Sequence, residues 1–390
     1  MCEGRVAPLA GLHRAGLAFF REIREFERAI APFLRYAISL GNTHIHGGRF
    51  QPATSMIIDS HQHFVRLAKH PEVEGFRQAQ LSGKNPDSLP NISDADVKKS
   101  LEQVVSLMDS RAIDVAFASP RAKAMATHEG TVEQNAIWAD LNNGLISRAC
   151  KLTQGRFVPV GMLGQHPSSP AAQVAKQIER WTNDGFVAFN FDPDGTGGRW
   201  QNQPFTGRHN YPVFEAAQAL DVPLVLHGSE SINKNFPHTA VQYLVADITG
   251  FVQLMMAKDL FRDFPRLRFL IPHGGGALPC QIGRWRAIAK YSNWTSPDEI
   301  LGNGNVFVDT CIYNDLNMQM LFDAVPLDNI LFGSECDGAF PGVINEETRD
   351  HYDNTRRYVD DSKLGAADKD RVYAGNARRV YPRASRWIKS

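Results

Sequence analysis

Ile57-Ile58-Asp59-Ser60-His61-Gln62-His63 reads as a short apolar run that ends in two histidines one residue apart. Side chains alternate along a strand, so His61 and His63 are expected on one face, where two imidazoles can share a cation. Thr43-His44-Ile45-His46 repeats the spacing without the strand. It runs directly into Gly47-Gly48, and a polar loop is the better reading there.

Outward from residue 57, the same kind of run recurs. β-branched and apolar stretches fall at 57–60, 114–118, 157–162, 187–191, 224–227, 268–273, 306–309 and 330–334. Helical periodicity lies between nearly all of them, for instance at 94–109, 171–183, 241–262 and 279–289. Strands alternating with helices predict a parallel sheet with right-handed crossovers, and eight such units predict closure into an α/β (β/α)8 barrel of the TIM type over residues 56–390. An open doubly wound sheet is the runner-up. It lacks support because no glycine-rich dinucleotide fingerprint follows the first strand.

Composition narrows the function. The chain of 390 residues carries 42 Lys plus Arg and 42 Asp plus Glu, with 43% hydrophobic and 22% charged residues. A zero net charge argues against a general nucleic-acid binder, and the apolar content argues against disorder. No apolar run reaches the roughly 18 residues of a membrane span. Five cysteines without CxxC spacing fit reduced thiols and a cytoplasmic setting. Residues 1–55 differ from the rest: seven Arg and four Glu give +3 and leave −3 for the remainder. Phe19, Ile23, Phe26, Ile30 and Phe33 recur at helical steps, which predicts an amphipathic helix. Gly41, Gly47, Gly48 and Pro52 then break regular structure. The expectation is an N-terminal helical extension over 1–55, suited to docking or homo-oligomer assembly, or a leader upstream of a native start at Met56.

Further polar groups stand at the ends of later strands: His227, His273 and Glu335. In a barrel these ends converge at one face. His61, His63, His227 and Glu335 then offer three imidazole nitrogens and one carboxylate, a set that suits Zn2+ and tolerates Mn2+ or Fe2+. Glu335 can also take a proton from water, and His273 can polarise a substrate or move a proton from beside the ligands. No Gly-x-Ser-x-Gly elbow supports a serine hydrolase. Cys311 and Cys336, near strand ends, read as buried, unreactive thiols. A carboxylic-acid substrate needs placed cations. Arg121 after the second strand is the foremost candidate, followed by Arg284, with Asn190 in the fourth strand as a further substrate contact. Gly274, Gly275 and Gly276 are expected to leave backbone N–H groups free for an anion.

At these residues the chain resembles the amidohydrolase superfamily, in the branch that includes aminocarboxymuconate-semialdehyde decarboxylase. The likeness runs from 56 to 383 and includes MIIDSHQHF (56–64), VPLVLHGSE (222–230), ILFGSECDGA (330–339) and GNARRVYPR (375–383). Within the branch it is most similar to the 4-oxalomesaconate hydratases. Most of the superfamily carries Asp at the end of strand 8, whereas the hydratases and a ring-cleavage C–C hydrolase carry Glu, as here at Glu335. The resemblance implies a zinc held by His61, His63, His227 and Glu335, with Glu335 as base and Tyr243 facing the substrate. The implied reaction adds water to a C=C bond in aromatic-compound catabolism. A C–C hydrolase or a decarboxylase is the alternative, and a non-enzymatic metal-binding scaffold is the reading from another class. Phe191-Asp192 replaces a Leu-Asn pair favoured in the family, at a place where substrate would be recognised.

Overall fold

The computed structural model describes residues 56–388 apart from 85, 87, 234, 236–238 and 339. The expected helix around Phe19–Phe33 and the loop of His44 and His46 lie outside the described residues.

Eight parallel strands follow one another around the sheet in chain order: β1 (Ile58–His63), β2 (Val115–Ser119), β3 (Phe157–Met162), β4 (Ala188–Phe191), β5 (Leu224–Leu226), β6 (Phe269–Ile271), β7 (Val306–Asp309) and β8 (Ile330–Leu331). Two backbone hydrogen bonds join the first strand to the chain after the last. Ser60 N donates to Phe332 O and Glu335 N donates to His61 O, both at 2.8 Å. The sheet therefore curls back on itself as a (β/α)8 barrel.

The crossover helices start and stop where local chemistry directs. Helix α1 (Asp94–Ser110) begins at Ser93, whose side chain accepts from Asp96 N. Helix α2 (Val132–Leu152) begins with a reciprocal capping box between Thr131 and Gln134. Helix α3 (Ala171–Asp184) buries Val174, Ile178 and Trp181 on one face and stops at Gly185, whose φ of +119° only glycine adopts readily. Helix α4 spans Tyr211–Ala219, and α5 spans Thr239–Met256. The pattern that predicts one helix over 241–262 breaks after Met256, and a separate turn forms at Leu260–Asp263. The carbonyl of Met255 accepts from Thr295 N at 2.9 Å, a tertiary bond in place of helical continuation. Helices α6 (Leu278–Ser292) and α7 (Asp315–Ala324) complete the ring.

Strand ends differ from expectation for physical reasons. β8 stops at Leu331 because later N–H groups bond elsewhere: Phe332 to Val372 O, Gly333 to Thr310 Oγ1 and Ser334 to an Asp59 carboxylate. β6 stops before Pro272, which has no N–H to give a ladder. β1 runs longer than expected and contains a register shift between Asp59 and Gln62. Simple alternation therefore does not hold through the His-x-His segment.

Inside the barrel, Ile58, Phe117, Val160, Val225, Leu270 and Phe307 form an apolar plug with Val380, Tyr381 and Ile388 of the C-terminal segment. That segment seals the end where the strands begin, as Trp387 Nε1 donates to Gly185 O just before β4. The opposite end, where the strands finish, is left for polar side chains.

Candidate metal centre and active site

Four imidazoles meet where β1, β5 and β6 end. His61, His63 and His227 are buried, each less than 5% exposed. Every Nδ1 is tied to a fixed partner: His61 to Asp309 Oδ2, His63 to Ser119 Oγ, His227 to Gly228 O and His273 to Asp247 Oδ2, each at 2.8 Å. Ser119 spends its own proton on Gln62 O, so it accepts from His63. Carbonyl and carboxylate acceptors likewise require Nδ1–H, which leaves the lone pairs of His61, His63 and His227 on Nε2. At His273 burial is outweighed by the facing carboxylates of Asp247, Glu335 and Asp309, which raise its pKa to about 9, so its Nε2 also carries a proton.

The Nε2 atoms face one another. His61 Nε2 and His63 Nε2 are 3.3 Å apart, and His63 Nε2 lies 3.6 Å from Glu335 Oε1. Among the described residues, no hydrogen-bond partner meets His227 Nε2 or His273 Nε2. Burial and the neighbouring imidazoles hold the pKa values of His63 and His227 well below that of a free histidine. Neutral nitrogens pointing lone pair to lone pair repel one another unless a cation lies between them. Ligand atoms about 2.0–2.2 Å from a tetrahedral ion stand roughly 3.3–3.5 Å apart, which matches the spacing here. The residues present fit a divalent cation. His61 and His227 with His273, and His61 and His63 with Glu335, both fall within ligand range of one another.

Glu335 carries this geometry at a backbone cost. Its φ is +52°, as is that of His273, in the left-handed region that non-glycine residues avoid. Gly338 makes room for it, since a Cβ there would stand 2.5 Å from Glu335 Cγ. The second carboxylate oxygen faces the other way. Glu335 Oε2 lies 3.4 Å from Tyr313 OH, 3.7 Å from Cys311 Sγ and 3.7 Å from His273 Nε2.

Beside the cluster opens a cavity of about 250 Å³, lined among others by Tyr243, His273, Cys311, Tyr313, Met320 and Glu335. The Tyr243 ring lies 4.9 Å from that of His227 and stacks on His273 at 5.7 Å. No Arg or Lys is among the described lining residues.

The other expected contacts are placed unequally. Arg121 occupies the N-cap position of the short helix Ala122–Met125 without a side-chain capping bond, is half-buried, and is not among the described residues lining the cavity. Asn190 is buried at the end of β4, with Nδ2 3.4 Å from Met125 Sδ. Arg284 sits on the exposed face of α6, donates to Gln281 Oε1 one turn earlier and does not line the cavity. The expected free N–H groups of the glycine run are not free. Gly274 N donates to Asp309 Oδ1, Gly275 N to Pro272 O and Gly276 N to His273 O, because the run folds as a tight turn. Cys311 and Cys336 are buried, and burial first of all pushes both thiols up, Cys336 to about 12.

Several residues at the site went unnoticed in the sequence. Asp309 closes β7, Asp247 lies on α5, Ser119 closes β2 and Tyr313 follows β7. For Asp309 and Ser119 the position at a strand end was a usable signal. For Asp247 and Tyr313 none was.

A barrel whose strand ends gather buried imidazoles and one carboxylate around a cation-sized space defines the metal-dependent barrel class. The chain belongs to the amidohydrolase family, whose model matches residues 58–383. It is 39% identical over 339 residues to 2-keto-4-carboxy-3-hexenedioate hydratase from Sphingobium sp., covering 86% of this chain and 98% of that protein. Among solved structures it is similar to 4-oxalomesaconate hydratase, LigJ, from Rhodopseudomonas palustris, with a TM-score of 0.76 and 36% identity over 85% of this chain and 97% of that one. A gamma-resorcylate decarboxylase from Polaromonas sp. is 25% identical over 299 residues, 71% of this chain and 86% of that protein.

Proposed function

We propose that this protein is a metal-dependent hydro-lyase that adds water to the C=C bond of 4-oxalomesaconate, giving 4-carboxy-4-hydroxy-2-oxoadipate in the breakdown of aromatic compounds. One observation carries the reading: the Glu335 carboxylate joins the imidazole cluster through Oε1 and turns Oε2 toward Tyr313 and Cys311, which line the cavity. The likeness to the two hydratases supports the substrate class.

In this reading His61, His63, His227 and Glu335 hold a zinc ion, and Mn2+ or Fe2+ suits the same donors. When bound, the ion supplies Lewis-acid chemistry that brings a water toward deprotonation near neutral pH. Glu335 accepts the proton of the attacking water and returns it to the neighbouring carbon, so that the double bond gains O–H on one side and H on the other. His273, oriented by Asp247, holds a proton at Nε2 toward the substrate. Tyr243 covers the imidazoles and orients the substrate above them. Arg121 pairs with a substrate carboxylate, and Asn190 supports the same end. Arg284 is assigned no contact, given its exposed position.

In this reading the protein works in the cytoplasm with reduced thiols, and residues 56–390 are the catalytic unit. Among the described residues, no helix is long and apolar enough to cross a membrane. The deciding experiment is an ultraviolet assay of zinc-loaded protein with 4-oxalomesaconate beside an aryl ring-cleavage product. Loss of conjugated absorbance with the first alone is expected. Loss with the second alone overturns the hydratase reading in favour of C–C hydrolysis.

A further inference from the structure

The two oxygens of Glu335 face two different sets of donors. Oε1 turns to His63 and the first cluster, whereas Oε2 turns to His273 Nε2 and Cys311 Sγ, each at 3.7 Å. His273, Cys311 and Glu335 lie within ligand range of one another, so the chain holds a His/Cys/carboxylate set beside the His-rich one. The His273 imidazole is nine-tenths buried, and its Nε2 has no hydrogen-bond partner among the described residues. The four-donor set of His61, His63, His227 and Glu335 uses neither Cys311 nor His273 and shares Glu335 with this one.

We propose that His273, Cys311 and Glu335 Oε2 form a second, weaker site for a soft divalent cation such as Zn2+, bridged to the first by the Glu335 carboxylate. Ligand atoms around a tetrahedral zinc with one sulfur stand roughly 3.3–3.7 Å apart, so a small contraction of the observed spacing closes the site. Tyr313 OH, 3.6 Å from Cys311 Sγ and 3.4 Å from Glu335 Oε2, or a solvent molecule from the cavity, stands in the fourth position. On binding, the Cys311 thiol and His273 Nε2 each give a proton to solvent, and the two ligate as thiolate and neutral imidazole. Asp247 behind His273 and Asp309 behind His61 add two carboxylates that offset the doubled positive charge. Three protein donors against four make this site the weaker of the two. Occupancy takes Oε2 of Glu335 and Nε2 of His273. It therefore blocks turnover, a consequence that rests on the hydratase reading, whereas the binding does not.

Titration of metal-free protein with Co2+ tests the site, since a thiolate ligand produces a near-ultraviolet charge-transfer band that nitrogen and oxygen ligands do not. The expected result is two equivalents bound, with the band arriving only with the second. Cys311→Ser should lose the band and the second equivalent and keep the first, which also shows that the variant is folded. With Zn2+, wild-type turnover should fall once the ion exceeds one equivalent, and the turnover of Cys311→Ser should not respond to the excess. Saturation at one equivalent, or a band that persists in Cys311→Ser, overturns the proposal. Absence of turnover with every substrate would sink the hydratase reading and leave the cobalt result to stand by itself.

Discussion

Asp309, the last residue of β7, accepts a hydrogen bond from His61 Nδ1 at 2.8 Å across 248 residues of chain. Burial alone would raise the Asp309 pKa, but the facing His61 and its hydrogen bond hold it below the ordinary carboxylate value. An ionised Asp309 fixes the His61 ring and makes Nε2 a better donor to a cation. Asp309→Asn should therefore weaken zinc binding about 10–100-fold, the usual effect of such a partner. Chelator competition reads this directly, and an affinity equal to wild type would remove Asp309 from that role.

Glu335 is the only carboxylate proposed both to ligate and to move a proton. Glu335→Gln keeps the shape and loses the base, and turnover should drop by about 10²–10⁴-fold or more. His44→Ala, in the other His-x-His segment, should leave turnover at the wild-type level. Near wild-type activity in Glu335→Gln would sink the proposed proton transfer.

Arg121 has a narrower task. If its guanidinium binds a substrate carboxylate equally in the ground and transition states, Arg121→Ala should raise KM and leave kcat nearly unchanged. A loss confined to kcat would instead place Arg121 in the chemistry itself.

Removal of the metal should cost stability. Without a cation, the Nε2 atoms of His61 and His63 confront each other at 3.3 Å and that of His227 is buried without a partner. Exhaustive chelation should lower Tm, and Zn2+ at about 1,000 times its Kd should return about 4 kcal/mol. Identical melting curves with and without the ion would argue against the site.

Asp192 provides a pH test away from the ligands. Burial first of all raises its pKa from 3.8 to about 7, against hydrogen bonds from Ser229, Asp194 and Thr127. Between those values the unfolded chain releases the proton while the folded chain keeps it. Stability from this group is thus greatest in acid, falls as pH rises through the window and levels off above about 7. Asp192→Asn removes that slope, so its Tm relative to wild type should climb between pH ~4 and ~8. Parallel Tm curves for the two proteins would contradict this.

Much of the barrel was legible because its signals are local. Each strand is a run of a few apolar residues, and the order of strands around the barrel is the order along the chain. His227, His273 and Glu335 could be read as site residues because a polar group that ends such a run must lie at the strand-end face. The run at 330–334 shows the limit. Its composition is that of one strand, yet only Ile330–Leu331 pairs, because Val372, Thr310 and Asp59 claim the next three N–H groups.

By itself the sequence determined which residues repeat as strand and helix, and which imidazoles and carboxylate stand at strand ends, since both follow from periodicity within a few residues. Only the tertiary structure decided how those groups work. The bulge in β1 overrides simple alternation and still brings His61 and His63 within 3.3 Å of each other. Asp309, Ser119 and Asp247 orient the rings from distant segments, and the turn at Gly274–Gly276 uses its own N–H groups instead of offering them to a ligand. These outcomes depend on hydrogen-bond partners far away in the chain, which compete for each polar group only once the barrel has closed.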